Sequence, residues 1–190
     1  MNKTLNKEKI TGIAVTALFA ALLCAVSPFS IPIPFGDVPL SLATLVIYLA
    51  SAVLGPTRAV AAVAVYIAIG CLGLPVFSGF AAGPGRILGP TGGYLAGYIP
   101  LALISGFAKN LRLSPPVRIA AASAVMLTAT AALYFFGTAW YCIYADVPIF
   151  AALTACVFPF IPGDAAKIVV AALISDRVRA MSPIGAVKAQ

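Results

Sequence analysis

The stretch Phe158-Pro-Phe-Ile-Pro-Gly-Asp164-Ala-Ala-Lys167 sets an acid and a base into apolar sequence on both sides. The whole chain is 62% hydrophobic and only 9% charged, with a mean hydropathy of +1.07. Soluble domains carry about 45–50% apolar residues, so this chain reads as one integral membrane domain over residues 1–190. A charge at a bilayer centre costs roughly 2.5–3.5 kcal/mol on insertion scales. Residues spaced i, i+3 share one helix face, so Asp164 and Lys167 can partly neutralise each other. An ionisable pair at membrane depth marks a functional site by default; its plainer role is to fix helix packing.

Hydropathy predicts spans near 10–29, 39–55, 58–74, 91–108, 117–141 and 161–177, with 147–160 as a re-entrant or interfacial apolar segment. Several are shorter than about 20 residues, the usual spanning length. Charge arbitrates the topology. With six transmembrane helices and cytoplasmic N- and C-termini, the inner side holds Lys3, Lys7, Lys9, Arg58, Lys109, Arg112, Arg118, Arg177, Arg179 and Lys188, ten of the twelve basic residues. Asp37, Arg86 and Asp146 fall outside. A seventh span would place Arg177, Arg179 and Lys188 outside, against the positive-inside rule. Trp140, Tyr141 and Tyr144 then fall at the outer interface. The expected fold is therefore an all-α integral membrane protein of six spans. Lys3, Lys7 and Lys9 before an apolar run also suit a signal peptide, but the spans that follow favour a retained first helix.

This topology gives the pair a depth. Pro162 suits the first turn of the last helix, and Arg177 its inner end. Asp164 lies about 20 Å above Arg177 at 1.5 Å per residue. That is the outer half of a core roughly 30 Å thick. A site reached from outside follows.

The outer loops are long and rich in Gly and Pro. The third runs from Gly73 to Tyr94, and its glycines permit close backbone approach to a ligand or tight turns. Phe77, Phe80 and Tyr94 offer flat apolar surface there. Arg86 and Thr91 offer donors, and Thr91-Gly92-Gly93 opens a helix, where backbone N–H groups suit a carboxylate. Ala17, Ala21 and Ala25 give the first helix a small-residue face, for packing within the domain or against a partner.

Other functions lack their residues. The net charge of +7 gathers at membrane edges, not in a nucleic-acid patch. Histidine is absent, and Cys24, Cys71, Cys142 and Cys156 show no metal or disulfide spacing. No metal site is expected. Gly83-Pro-Gly-Arg-Ile-Leu-Gly89 has one residue too many for G-x-G-x-x-G, and no P-loop occurs. A membrane hydrolase built on Asp164 lacks a second carboxylate or a metal partner.

Gly89-Pro-Thr-Gly-Gly-Tyr-Leu-Ala-Gly97, preceded by Gly73-Leu-Pro-Val-Phe77, resembles a loop signature of the BioY family. Phe160-Ile-Pro-Gly-Asp-Ala-Ala-Lys167 is similar to that family's F-x-P-G-D-x-x-K signature. Pro32-Ile-Pro-Phe-Gly-Asp-Val-Pro-Leu-Ser41 resembles its first-loop motif, although Ala43 stands where the following run usually has glutamine. The resemblance covers about residues 10–180. It implies the six-helix fold of a substrate (S) component of an energy-coupling-factor (ECF) transporter, in the cell membrane of a prokaryote. It further implies capture of biotin from outside. Delivery would need a membrane scaffold (the T component) and two ATPase subunits, which use the ATP; no cofactor is implied in this chain. Ala17 and Ala21 would meet the scaffold. Asp164 would accept ureido N–H bonds, and Lys167 would donate to the ureido carbonyl or to the other oxygen of Asp164. On the chemistry of biotin itself, and not on the family pattern, Arg86 or the Thr91-Gly92-Gly93 backbone would receive the carboxylate. An S component for thiamine or riboflavin, or a stand-alone biotin carrier, are the alternatives.

The topology is directly testable. In a background lacking native cysteines, a cysteine at Lys188 is expected to react with an impermeant maleimide only from the inner face. Labelling from outside would overturn the assigned depth of Asp164.

Overall fold

A computed structural model describes residues 2–31, 38–111 and 113–181. The first-loop residues Pro32 to Asp37, Arg112 and Lys188 lie outside the described residues. The chain is helical: α1 (Asn2–Val26), α2 (Ala43–Leu54), α3 (Pro56–Cys71), α4 (Gly85–Leu88), α5 (Gly92–Ser105), α6 (Pro115–Ala145), α7 (Ile149–Cys156) and α8 (Ile161–Met181). A 3-10 turn, Gly106–Asn110, extends α5.

Two helices are long and apolar enough to cross a bilayer: α1, from Lys9 on, and α6, whose 31 residues reach about 46 Å. The α7–α8 pair passes the same test jointly, bent by 53° at the break between them. α2 and α3 have 12 and 16 residues, about 18 and 24 Å, short of a 30 Å core. The expected span 39–55 is shortened at its start because Leu40–Ser41 (β2) pairs antiparallel with Ser30–Ile31 (β1). This two-residue ribbon closes the first loop and carries no period long enough to read from sequence.

The corner between α2 and α3 is one residue, Gly55, at φ +83. Glycine adopts this conformation without a Cβ clash, and Pro56 restarts the helix where its missing N–H costs nothing. Lys109 from the 3-10 turn donates to the Leu54 carbonyl at 3.0 Å, capping the end of α2.

α1 packs on α2 and α3, α2 on α8, and α5 on α6, the most extensive pairing of all. Glycine allows that last contact. A Cβ on Gly93 would strike the Trp140 side chain and the Phe136 carbonyl; one on Gly137 would strike the Tyr94 ring. Small residues at such a seam let helix backbones approach closely. The aromatics of the α6 end serve this packing. Trp140 donates from Nε1 to the Gly89 carbonyl at 2.9 Å, Tyr141 is buried, and Tyr144 is exposed.

On α1, Gly12, Ala20 and Leu23 face the bundle, while Ile10, Ile13, Ala17, Leu18 and Ala21 face outward. Apolar side chains on the outer face of a spanning helix match a lipid environment.

The seam gives a test. Gly93→Ala is expected to destabilise the protein by about 1–3 kcal/mol, the cost of overpacking. Gly85→Ala, where an added Cβ meets nothing within 4 Å, is expected to change stability by less than about 0.5 kcal/mol. Thermal melting in detergent reads both.

Candidate functional site

Asp164 lies in the first turn of α8, after Pro162 and Gly163. Pro162 tolerates an early helical position, and Gly163 lets the Leu40 side chain close in on the helix start. One turn on, Lys167 returns along the same face, and its Nζ meets Asp164 Oδ1 at 2.9 Å. Both are buried, with 4% and 8% exposure.

Three further elements converge on the pair. From α6, the Tyr134 hydroxyl donates to Asp164 Oδ2 at 2.7 Å. From β2, the Ser41 carbonyl accepts from Lys167 Nζ at 2.7 Å. From the first turn of α2, Thr44 Oγ1 accepts from the same nitrogen at 3.2 Å. The Ser41 hydroxyl, in turn, donates to the Ser27 carbonyl at 3.3 Å and accepts from the Ala43 N–H at 3.1 Å. The ammonium therefore ties α8 to the exit of the first loop. A buried ion pair offsets its desolvation only when further hydrogen bonds complete it, and these do so.

The pair lies at one side of a cavity of about 630 Å³, counted to its open mouth. Small-molecule sites are concave and mostly apolar, with a few convergent polar groups. Here Phe77, Tyr94, Leu95, Leu133 and Phe160 supply apolar walls. Asp164, Lys167, Thr44, Tyr134, Arg86 and Thr91 supply polar atoms.

The walls are braced by neighbouring elements. The Phe77 ring is buried against Gly70 and meets Tyr66 edge-on, centroids 5.6 Å apart. Phe77 and Ala81 exchange two backbone hydrogen bonds, at 3.0 and 3.3 Å, and the Gly79 N–H reaches the Pro28 carbonyl at 3.0 Å. The loop that follows α3 is thereby fastened to the turn that follows α1. The Tyr94 hydroxyl donates to the Cys156 carbonyl at 2.5 Å, joining α5 to α7.

Of the residues singled out from sequence, Asp164, Lys167, Phe77, Tyr94, Arg86 and Thr91 line this one cavity. Arg86 comes from the short helix α4, half-buried, with no carboxylate partner among the described residues. Its carbonyl accepts from the Thr91 hydroxyl at 3.4 Å. Gly92 and Gly93 are buried at the α5–α6 seam and are not part of the lining. The Gly92 N–H already donates to the Gly89 carbonyl at 3.0 Å. Phe80 is also outside the lining: it is 59% exposed and edge-on to Phe29, centroids 5.5 Å apart. Tyr134, Ser41 and Thr44 were not foreseen as site residues. A lone phenol in the apolar run Ala132-Leu-Tyr134-Phe-Phe136 was the only sequence signal for Tyr134.

A sequence model of the BioY family matches residues 1–184. The chain is 36% identical over 181 residues to the biotin transporter BioY of Rhodobacter capsulatus, covering 90% of this chain and 95% of the relative. It is 35% identical over 162 residues to the biotin transporter BioY of Thermotoga maritima, covering 85% and 92%. Its fold is similar to a solved S-component for biotin from an ECF-type ABC transporter, with a TM-score of 0.81, 27% identity, and coverage of 92% and 93%. Geometry, sequence and fold converge, and the chain belongs to the BioY family.

Proposed function

We propose that this protein is the biotin-binding substrate component of an ECF-type uptake transporter. It is a transport protein of a prokaryotic membrane and not an enzyme, as its relatives are. One observation carries the reading: the buried Asp164–Lys167 pair opens onto an apolar cavity within a fold that follows a biotin S-component along 92% of the chain.

Biotin combines a ureido ring bearing two N–H donors and a carbonyl with a thioether, an aliphatic chain and a carboxylate. Ionised Asp164 accepts ureido N–H, and charge-assisted bonds of this kind are about twice as strong as neutral ones. Lys167 holds the charge of Asp164 in balance. Phe77 and Tyr94 cover the bicyclic ring and chain, with Phe80 at the rim. Arg86, with Thr91 beside it, takes the carboxylate; the Gly92-Gly93 backbone opens the helix that supports them. Arg86 supports this role because it lines the cavity without an acidic partner among the described residues.

The remaining features complete the reading. Six spans place both termini in the cytoplasm and the cavity mouth outside the cell membrane, which the basic residues near Arg118 and Arg177 support. The outward Ala17–Ala21 face of α1 suits close approach by a T-component scaffold. Two ATPase subunits acting through that scaffold consume the ATP, and this chain needs no cofactor.

Calorimetric titration of the purified chain tests the ligand and the site together. Biotin is expected to bind and to raise the melting temperature, while thiamine and riboflavin leave it unchanged. Asp164→Asn and Lys167→Ala are each expected to weaken biotin at least tenfold, and unchanged affinity in both would remove this site. Tyr134→Phe takes a hydrogen bond from a buried charged acceptor, so a loss of stability of about 1.5–3 kcal/mol is expected, read by thermal melting.

A further inference from the structure

The hydrogen-bond inventory at the ion pair divides its labour, and the division determines which group a ligand meets. An ammonium has three N–H donors. Those of Lys167 are matched by three acceptors: the Ser41 carbonyl at 2.7 Å, Asp164 Oδ1 at 2.9 Å and Thr44 Oγ1 at 3.2 Å. All three bonds are internal, and none of these donors is left to face the cavity. Asp164 differs. A carboxylate offers about four lone-pair sites, and Lys167 and Tyr134 occupy one on each oxygen. Acceptor capacity therefore remains on Asp164.

Thr44 completes the pattern. Its oxygen accepts from Lys167, which orients the hydroxyl, and its own hydrogen has no acceptor among the described residues. The hydroxyls of Thr16 and Thr130 behave otherwise, each donating to the carbonyl four residues back, at 2.8 and 2.7 Å. Thr44 is 6% exposed and lines the cavity. A buried donor beside a cavity and without a partner costs free energy until an acceptor meets it.

We infer that Thr44, and not Lys167, donates to the acceptor oxygen of the ligand, while Lys167 is a positioning residue that sets Asp164 and Thr44 in register. The inference rests on the biotin reading and refines it: the ureido N–H goes to Asp164 and the ureido carbonyl to the Thr44 hydroxyl. The site then selects for a carbonyl flanked by N–H groups, with the acceptor read by one hydroxyl.

The experiment compares biotin with its 2-thio analogue, in which the ureido oxygen is replaced by sulfur, a weaker acceptor, with both N–H groups kept and no charge added. Calorimetry is run on the full-length chain. Thr44→Val is expected to weaken biotin about tenfold and the analogue less than about twofold, so the preference between them narrows. Thr44→Ser, which keeps the hydroxyl, is expected to restore it. Lys167→Met is expected to weaken both ligands by a common factor and leave the preference intact, because it acts through Asp164. Should Thr44→Val fail to fold, Thr44→Ala is read on the same ratio. Equal losses for both ligands in Thr44→Val, unchanged biotin binding in that variant, or a preference that narrows in Lys167→Met would each overturn the inference. Absence of biotin binding by the unaltered chain would instead overturn the biotin reading on which it rests.

Discussion

The contact between Asp164 and Lys167 constrains everything around it. Alone in so apolar an interior, either charge would carry a desolvation penalty of several kcal/mol. Together they form a nearly neutral dipole, and Tyr134, Thr44 and the Ser41 carbonyl complete its hydrogen bonding. A buried ion pair is weak evidence for stability, because apolar residues of similar volume often serve as well or better. Its presence beside a cavity therefore speaks for recognition. The arrangement also fixes geometry: α8 cannot rotate without breaking bonds to β2, α2 and α6 at once.

The rest of the bundle holds that constellation still. The α5–α6 seam brings Tyr94 and Leu133 together across the cavity, and Gly93 and Gly137 make the approach possible. Phe77, lodged on Gly70, closes another wall from the loop that follows α3. Bonds from Gly79 to Pro28 and from Ser41 to Ser27 tie the loop after α3, strand β2 and the end of α1 into the same rim. The cavity is thus bounded by close-packed elements, and its polar atoms are presented from backbone positions with little freedom.

The sequence made part of this legible. Local spacing was enough to foresee that Asp164 and Lys167 touch, because i, i+3 places them on one helix face. Phe77, Tyr94, Arg86 and Thr91 stood in one loop-to-helix stretch, so their common placement needed little tertiary information. Tyr134, Thr44 and Ser41 are different. They lie 30, 123 and 126 residues from their partners in the pair, and only the rotation of α6 and the docking of α2 bring them close. Gly92 and Gly93, expected from sequence to offer backbone to a ligand, instead meet α6 and its Trp140. The start of α2 was lost to the β1–β2 ribbon, whose two residue pairs leave no pattern.

Tyr94 carries a constraint of another kind. One face of its ring shapes the cavity, the other covers Gly137, and its hydroxyl holds the Cys156 carbonyl. A change of side chain here alters the void, the interhelical distance and the anchoring of α7 in a single stroke. Arg86, half-buried on the short helix α4, has no such triple duty. Evolutionary drift toward a differently shaped vitamin would consequently begin there, with the phenol fixed early and the periphery left to explore.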